Sequence, residues 1–451
     1  MRICKDTDRD NMATIRKIIL VLLDGLGDRS YKVLGGRTPL QAAETPHLDQ
    51  MARLGGNGLY HASIPGQCLP SETAHYLLFG YDLEMFPGRG LLEAVGAGVP
   101  FDDDDVLCLA HLAGMTVKEG VPVLTAGRKD IKGSQEELAR LYSAIRSFEA
   151  HGILCELHQI ARNDAILILR GEVSPHVTDS DPMVPGMAMA RVFPEEPNPE
   201  PKMAARTARA LNAYLNHCHH VLKAHDENRL RETRRFRRAN FLATQRCGRR
   251  IPQLPFSERW GMQGMLIGSG VMYGGLAKEL GLTFRVARDG EDPGKDLRER
   301  IDLALGDDSH AFFHVHTKVP DQAAHSGDPL QKRDAISALD RGLDKLMQAV
   351  MERDDILVVA TADHSTPSRS SLIHSGEPVP VVILGPGVRR DRVQVFDEVS
   401  AASGCLGFLK GEELMLTILN YADRSALFGH RLGRVQNYYL SCTYEPFKVI
   451  R

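Results

Sequence analysis

A single tryptophan and an aromatic share of 6% leave this 451-residue chain few stacking surfaces. Neither sign of charge dominates: the formal net charge is −3. That balance excludes a wholesale role on nucleic acid or on a membrane surface. No apolar run approaches the roughly 18 residues of a membrane span, and Ile18–Leu23 is too short for the core of a signal peptide. The eight cysteines include no Cys-x-x-Cys pair. In a chain of this length they read as reduced, mostly structural thiols, and the expected location is cytoplasmic. Internal repeats and low-complexity linkers are missing too. What is present is an ordinary globular mixture, 43% hydrophobic and 25% charged, long enough for a sizeable core and two domains.

The run Ile18-Ile-Leu-Val-Leu-Leu23 stops at Asp24-Gly-Leu-Gly-Asp28. A short continuous apolar run predicts a central strand of an α/β sheet, here delivering an acid at the carboxyl end where such sheets bind ligands; the plain alternative is a turn. Thr45-Pro46 then predicts a helix start, with Thr45 as N-cap. Pro70-Ser71 before Glu-Thr-Ala-His75-Tyr-Leu-Leu places Ser71 at a helix N-terminus, where amides and the helix dipole favour a phosphate. An ordinary capping serine is the plain reading. A Gly-rich connector around Glu93 follows.

After Phe101-Asp-Asp-Asp-Asp105 the texture changes. Residues 106–254 predict short strands such as Ile166–Leu169 and helices over Gln135–Glu149 and Ala204–Leu222. Within Arg229–Arg238 six residues of ten are arginine. That run is either a solvated helix face or an anion-binding wall; without aromatic interleaving beyond Phe236 it is a poor nucleic-acid patch. His217-Cys-His-His220 lies in a Leu- and Ala-rich helical segment and reads as structural or surface. From Trp260 the strand–helix alternation returns. The pattern predicts one doubly wound α/β domain (1–105 and 255–451) carrying an inserted domain (106–254).

The chemistry concentrates in His314–His374. Asp321 and His325 stand four apart, on one face of a helix. Asp363-His364 ends the branched apolar run Ile356-Leu-Val-Val-Ala-Thr, and His374 follows in a turn-rich loop. Carboxylates and imidazoles suit divalent ions such as Mn2+, Co2+ and Zn2+. With Asp24 and Ser71 they supply enough groups for two metals, and a serine hydroxyl near a divalent cation is an activated nucleophile. The combination predicts phosphoryl transfer through a phosphoserine. A non-catalytic anion-binding scaffold would have no need of all seven groups.

Together, Leu23-Asp24-Gly-Leu-Gly-Asp28, Ser71-Glu-Thr-Ala-His75, Gly80-Tyr-Asp, Gly88-Arg-Gly90, Glu93-Ala, Lys318-x-x-Asp321-x-x-x-His325, Asp363-His364-Ser-Thr-Pro367 and His374-Ser-x-x-Pro-Val-Pro380 give the chain a recognisable likeness. It resembles the archaeal-type cofactor-independent (2,3-bisphosphoglycerate-independent) phosphoglycerate mutases of the alkaline phosphatase superfamily, over almost its whole length. The resemblance implies an alkaline-phosphatase-like doubly wound sheet core with an inserted α+β domain. It implies one metal on Asp321, His325 and His374 and another on Asp24, Ser71, Asp363 and His364, with Ser71 carrying the phosphoryl group. The ions would be Mn2+, Zn2+ or Co2+, and Mg2+ is compatible. Interconversion of 3- and 2-phosphoglycerate is the implied reaction. The implied partner is a small phosphorylated metabolite, with no nucleic acid and no membrane. Weaker matches in the insert and just after it implicate Arg128, Asp181, Asn228, Arg231, Arg246 and Arg259 in substrate binding.

The likeness has gaps. Leu109 and His111 stand where the family has an Arg-x-Asn element, Leu124-Thr125 replaces a double arginine, Arg288-Asp-Gly-Glu-Asp-Pro-Gly replaces a Gly-Ala-Thr-Gly stretch, and Arg259 replaces a lysine. The alternative expectation is therefore the same machinery acting on another phosphorylated metabolite or on a phosphonate, as a transferase or hydrolase.

Overall fold

The computed structural model describes residues 15–431, 434, 436–439 and 447–449. Its strands, in chain order, are β1 (Lys17–Leu23), β2 (Gly56–His61), β3 (Val106–Lys118), β4 (Val121–Ala126), β5 (Ser147–Ala150), β6 (Ile153–Ala161), β7 (Asp164–Arg170), β8 (Phe241–Gly248), β9 (Gly264–Gly268), β10 (Thr283–Val286), β11 (Phe312–Thr317), β12 (Ile356–Thr361), β13 (Val379–Leu384) and β14 (Gly407–Lys410). Among the described residues they form two sheets, one in each of two units. The first unit takes in the described residues of Met1–Phe86 and Gln253–Arg451, the second Pro87–Pro252.

In the first unit eight strands run in the order β10-β9-β11-β1-β12-β13-β2-β14. From β10 to β12 all neighbours are parallel; β13 is antiparallel to both of its neighbours. Every residue of β1, β11 and β12 is buried. This is why they read as unbroken apolar runs rather than alternating ones: parallel strands with helices on both faces have no wet side. The register sets Leu23 beside Thr317 and Leu22 beside Thr361. The three strands therefore end at one level, and Asp24, the Val319–His325 helix and Asp363 leave from there.

The second unit pairs β4-β3-β7-β6-β5, with β8 on β3, and packs the helices Gln135–Ala144 and Pro201–Ala224 against them. Its own core includes Leu112, Leu138, Leu167, Leu211, Tyr214 and Leu242, all buried. This is the α+β insert on a doubly wound core that the sequence predicts. The helix expected to continue to Glu149 instead ends at Ala144, because Ser147–Ala150 pairs with β6 as β5; partners distant in sequence override local helix propensity. The contacts divide the chain at Phe86/Pro87 and Pro252/Gln253, outside the texture change at Asp105 and just before Leu254. The Arg89–Ala97 helix packs on β3, β7 and β8 and so belongs with the insert. Its Gly90 lies so close to β3 that a Cβ would sit 2.3 Å from the Leu107 carbonyl oxygen.

The expectation of reduced cysteines needs a correction. Cys108 and Cys247, facing across β3 and β8 with Cα atoms 4.1 Å apart, form a disulfide. Sequence spacing hides the pair, which is 139 residues apart. Cys155 and Cys218 are buried thiols, Cys68 and Cys405 exposed ones; Cys4 and Cys442 lie outside the described residues. Among the described residues no helix is long and apolar enough to cross a membrane.

One half-buried carboxyl in the first unit makes stability depend on pH. Glu398 accepts hydrogen bonds from Thr38 Oγ1 (2.8 Å) and from the Asp28 amide (3.2 Å). Burial pushes it up from 4.5 to about 7. The folded state thus holds this proton where the unfolded chain has released it, so stability is expected to fall as pH rises from about 4.5 through about 7, by up to about 1.4 kcal/mol per pH unit. Urea midpoints of wild type and Glu398→Gln across that range check this: the variant should lose that part of the slope, and parallel curves would refute it.

Candidate metal and phosphoryl-transfer site

Two clusters of donors stand at the carboxyl ends of β1, β11 and β12. In one, Asp24, Asp363 and His364 bring their ligand atoms within 4.8 Å of one another, and all three residues are buried. In the other, Asp321, His325 and His374 do the same, with His325 exposed. The deep group is built from strand ends, whereas the open group combines one helix face with one loop. Asp321 and His325 follow each other on the Val319–His325 helix, with His325 Nε2 3.3 Å from Asp321 Oδ1. His374 Nε2 comes within 3.5 Å of that same oxygen.

The loops are locked together at backbone level. Gly66 N donates to Gly376 O (2.8 Å), and His374 Nδ1 meets Leu69 O at 2.7 Å, which leaves Nε2 facing the cluster. The imidazoles of His364 and His374 stack with centroids 3.8 Å apart, and Thr366 Oγ1 donates to Asp321 Oδ1 (2.9 Å). Gly25, at φ +68°, donates its amide to Asp363 Oδ1 (3.1 Å); a Cβ there would meet Thr366 and Asp321 within 3 Å. Only glycine takes that turn at so close an approach.

Ser71 opens the Ser71–Leu78 helix and puts Oγ 3.0 Å from His364 Nε2. Pro70 occupies the N-cap position, so Ser71 is not spent on capping. His75, one turn on, hydrogen-bonds Ser71 O (2.8 Å) and approaches Asp363 Oδ2 to 3.3 Å.

The charges are mutually stabilised. Burial works to raise Asp321, but hydrogen bonds with His325 and His374 hold it well below the usual carboxylate range. Asp363 is likewise held low: burial opposes its charge, and His364 and His75 prevail. Burial pulls His364 down, yet the carboxylates of Asp363 and Asp24 push it up to about 9.

These groups fit divalent cations. Asp24 Oδ1 is buried without a hydrogen-bond partner, a costly state for a carboxylate unless a cation faces it, while Asp363 Oδ2 is met by the imidazoles of His364 (3.1 Å) and His75 (3.3 Å). The imidazole–carboxylate donor set suits borderline ions. Asp24, Ser71, Asp363 and His364 would hold one ion; Asp321, His325 and His374 would hold the other.

The chain matches the model of the metalloenzyme superfamily over residues 16–421. A relative from Methanocaldococcus jannaschii named 2,3-bisphosphoglycerate-independent phosphoglycerate mutase 2 is 38% identical over 432 residues, covering 94% of this chain and 97% of its own. The chain belongs to this phosphoglycerate mutase family. It is an enzyme of the cofactor-independent kind. A mutase from Methanopyrus kandleri is 36% identical over 92% of this chain and 98% of its own. Among solved structures, a Pyrococcus horikoshii protein superposes with a TM-score of 0.73 at 27% identity, covering 92% of this chain and all of that one. The cofactor-independent phosphoglycerate mutase of Thermoplasma acidophilum gives 0.59 at 29% identity, covering 90% and 100%.

The residues that the mutase likeness assigns to substrate are scattered. In the second unit, Arg128 pairs with Asp164 and lines a small recess with Glu93, Leu109, His111 and Gln245. Asp181 joins this cluster, reaching Gln245 Nε2 (2.5 Å) and His111 Nε2 (3.3 Å). Arg246, at φ +52°, binds Asp179 through its amide. Two others lie inside the second unit. Asn228 is buried, donating to the carbonyls of Leu222 and Ala239 and accepting from the Ala239 amide. Arg231 is fully buried, paired with Glu137 and donating to Arg237 O (2.8 Å). Both are held by the unit's interior contacts. In the first unit, Arg259 sits over the rings of Tyr81 (5.0 Å) and Trp260 (5.3 Å) and pairs with Glu412.

Three contributors to the metal clusters escaped sequence reasoning. Tyr273 and His316 both bind Asp24, and Thr366 binds Asp321. His316 had a signal, the alternation His314-x-His316 ahead of the Asp321 helix. Tyr273, within the buried Val271–Glu279 helix, had none.

Proposed function

We propose that this enzyme interconverts 3-phosphoglycerate and 2-phosphoglycerate through a phosphoserine on Ser71, with two divalent metal ions held by the two donor clusters. The observation that carries this reading is the placement of the Ser71 hydroxyl 3.0 Å from His364 Nε2, beside a buried donor group whose neighbour is a second one. The names of the relatives point to the same reaction and to a small phosphorylated metabolite as substrate. When bound, the cations would neutralise phosphoryl oxygens and lower the pKa of the serine hydroxyl.

Ser71 Oγ is the nucleophile. It forms a bond to phosphorus as the bond to the 3-oxygen of glycerate breaks, and the glycerate takes up the proton. In the return step the 2-oxygen forms its bond to phosphorus as the Ser71 Oγ–phosphorus bond breaks, and the proton of the 2-hydroxyl returns to Ser71 Oγ. Ser71 stands at the first position of its helix, whose amides and dipole favour the anion it carries between steps.

Phosphorus NMR of the Mn2+-activated enzyme, read after chelation of the paramagnetic ion, tests this. Conversion of 3- to 2-phosphoglycerate without free phosphate is the expected result. Accumulating phosphate would make the enzyme a hydrolase, and no turnover with two metals per chain would move the substrate to a different phosphorylated metabolite or a phosphonate.

A further inference from the structure

Asp24 is held differently from the other acids of the site. Its Oδ2 accepts a hydrogen bond from Tyr273 OH at 2.6 Å and meets His316 Nε2 at 3.0 Å, while its Oδ1 is buried without a hydrogen-bond partner, 3.5 Å from His364 Nε2. One oxygen is pinned and the other is presented to the donor cluster. Both pinning groups are themselves fixed. The Tyr273 ring lies 4.0 Å from the ring of His316 and 5.0 Å from that of His75, and both Tyr273 and His316 are buried. Arg300, a buried guanidinium, donates to His316 O (3.0 Å) and so secures the strand end that carries the imidazole. In the open group Asp321 Oδ1 accepts the Thr366 hydroxyl, which also lies 3.2 Å from His364 Nδ1, while Tyr273 and His316 hold Asp24 and not Asp321.

We propose that Tyr273 and His316 are positioning residues that set the metal affinity of the Asp24–Asp363–His364 group alone. The proposal rests on the two-metal reading above. The mechanism is orientational. A carboxylate free to rotate offers either oxygen and loses side-chain entropy when it ligates, whereas one anchored through Oδ2 has already lost it. Partners of this kind on metal ligands are commonly worth about 10–100-fold in affinity.

The test uses the full chain loaded with Mn2+ and dialysed against a graded series of chelator strengths, with bound Mn2+ per chain read by elemental analysis. Tyr273→Phe keeps the ring packing and deletes only the hydroxyl. Wild type is expected to release two ions in two steps. In Tyr273→Phe one step should shift to weaker chelator by about 10–100-fold while the other stays in place. His316→Gln, which keeps a donor, should shift that same step less than His316→Phe. Melting and circular dichroism of the metal-free variants establish that they fold, and the His316 pair carries the test if Tyr273→Phe does not.

If wild type holds two ions and both variants release them as wild type does, or lose both in parallel, the positioning role is overturned while the two-metal reading stands. If wild type never binds two, that reading falls and takes the proposal with it.

Discussion

Replacing Ser71 by alanine is expected to lower mutase turnover by at least about 10^3-fold while leaving the fold in place. Only one atom is deleted, the Oγ that lies 3.0 Å from His364 Nε2. The helix it opens keeps its start, because the N-cap is Pro70 and the bond of His75 to Ser71 uses the backbone carbonyl. A change in stability within about 1 kcal/mol follows. The effect on turnover is large because, among the described residues, the neighbouring hydroxyls are already engaged. Thr366 Oγ1 is already committed to Asp321 and His364, and Tyr273 OH to Asp24. Phosphorus NMR of turnover beside a thermal melt reads both parts. Undiminished conversion of 3-phosphoglycerate would eliminate the phosphoserine route, and a collapsed melt would mean that Ser71 also supports the fold.

The parts of this site that could be read from sequence share one property: each announces itself locally. Asp24 and Asp363 each follow an apolar run, because central parallel strands are buried on both faces and must deliver their functional groups at their ends. Asp321 and His325 declare a shared helix face through their spacing. The core with an inserted unit follows from the same alternation of runs. What stayed hidden is whatever depends on a distant partner. The arginine-rich run at Arg229–Arg238 suggests an anion-binding wall, yet a helix turns its residues through every direction, and Arg231 points inward to Glu137, 94 residues away. Asn228 three residues earlier turns inward as well, to the Leu222 and Ala239 backbone. Cys108 and Cys247 look like unrelated thiols until β3 and β8 are laid side by side. Tyr273 looks like a core aromatic in an apolar helix, and it is one, apart from the single oxygen that reaches Asp24.

The other large effect concerns a buried lysine. Lys332 on the Pro329–Asp340 helix is completely buried and donates to Gly27 O (2.9 Å) and Thr366 O (2.8 Å), with Asp28 Oδ2 3.2 Å away. Gly27 ends the loop that begins at Asp24, and Thr366 ends the loop that begins at Asp363, so one ammonium ties together the two turns that supply the deep metal group. Asp28 is equally buried and is also held by Ser368 Oγ (2.6 Å) and Tyr31 OH (2.7 Å). Lys332→Met preserves length and apolar stem but removes the charge. It takes the lysine donor from Thr366 O, leaves Gly27 O with only the Thr366 amide, and strands a carboxylate in the interior without its cation. Breaking one side of a buried pair typically costs about 3–5 kcal/mol, and that loss is expected here from urea denaturation. Because Asp28 keeps its hydroxyl donors, the additional change Asp28→Asn removes the stranded charge, and the double variant should recover part of the loss. Metal retention should fall with Lys332→Met as well, since the loops bearing Asp24 and Asp363 are no longer tied at their far ends. A cost below about 1 kcal/mol would mean that the loops are held by their own hydrogen bonds, Gly25 N to Asp363 and the Thr366 amide to Gly27 O, and that the lysine is dispensable to the site.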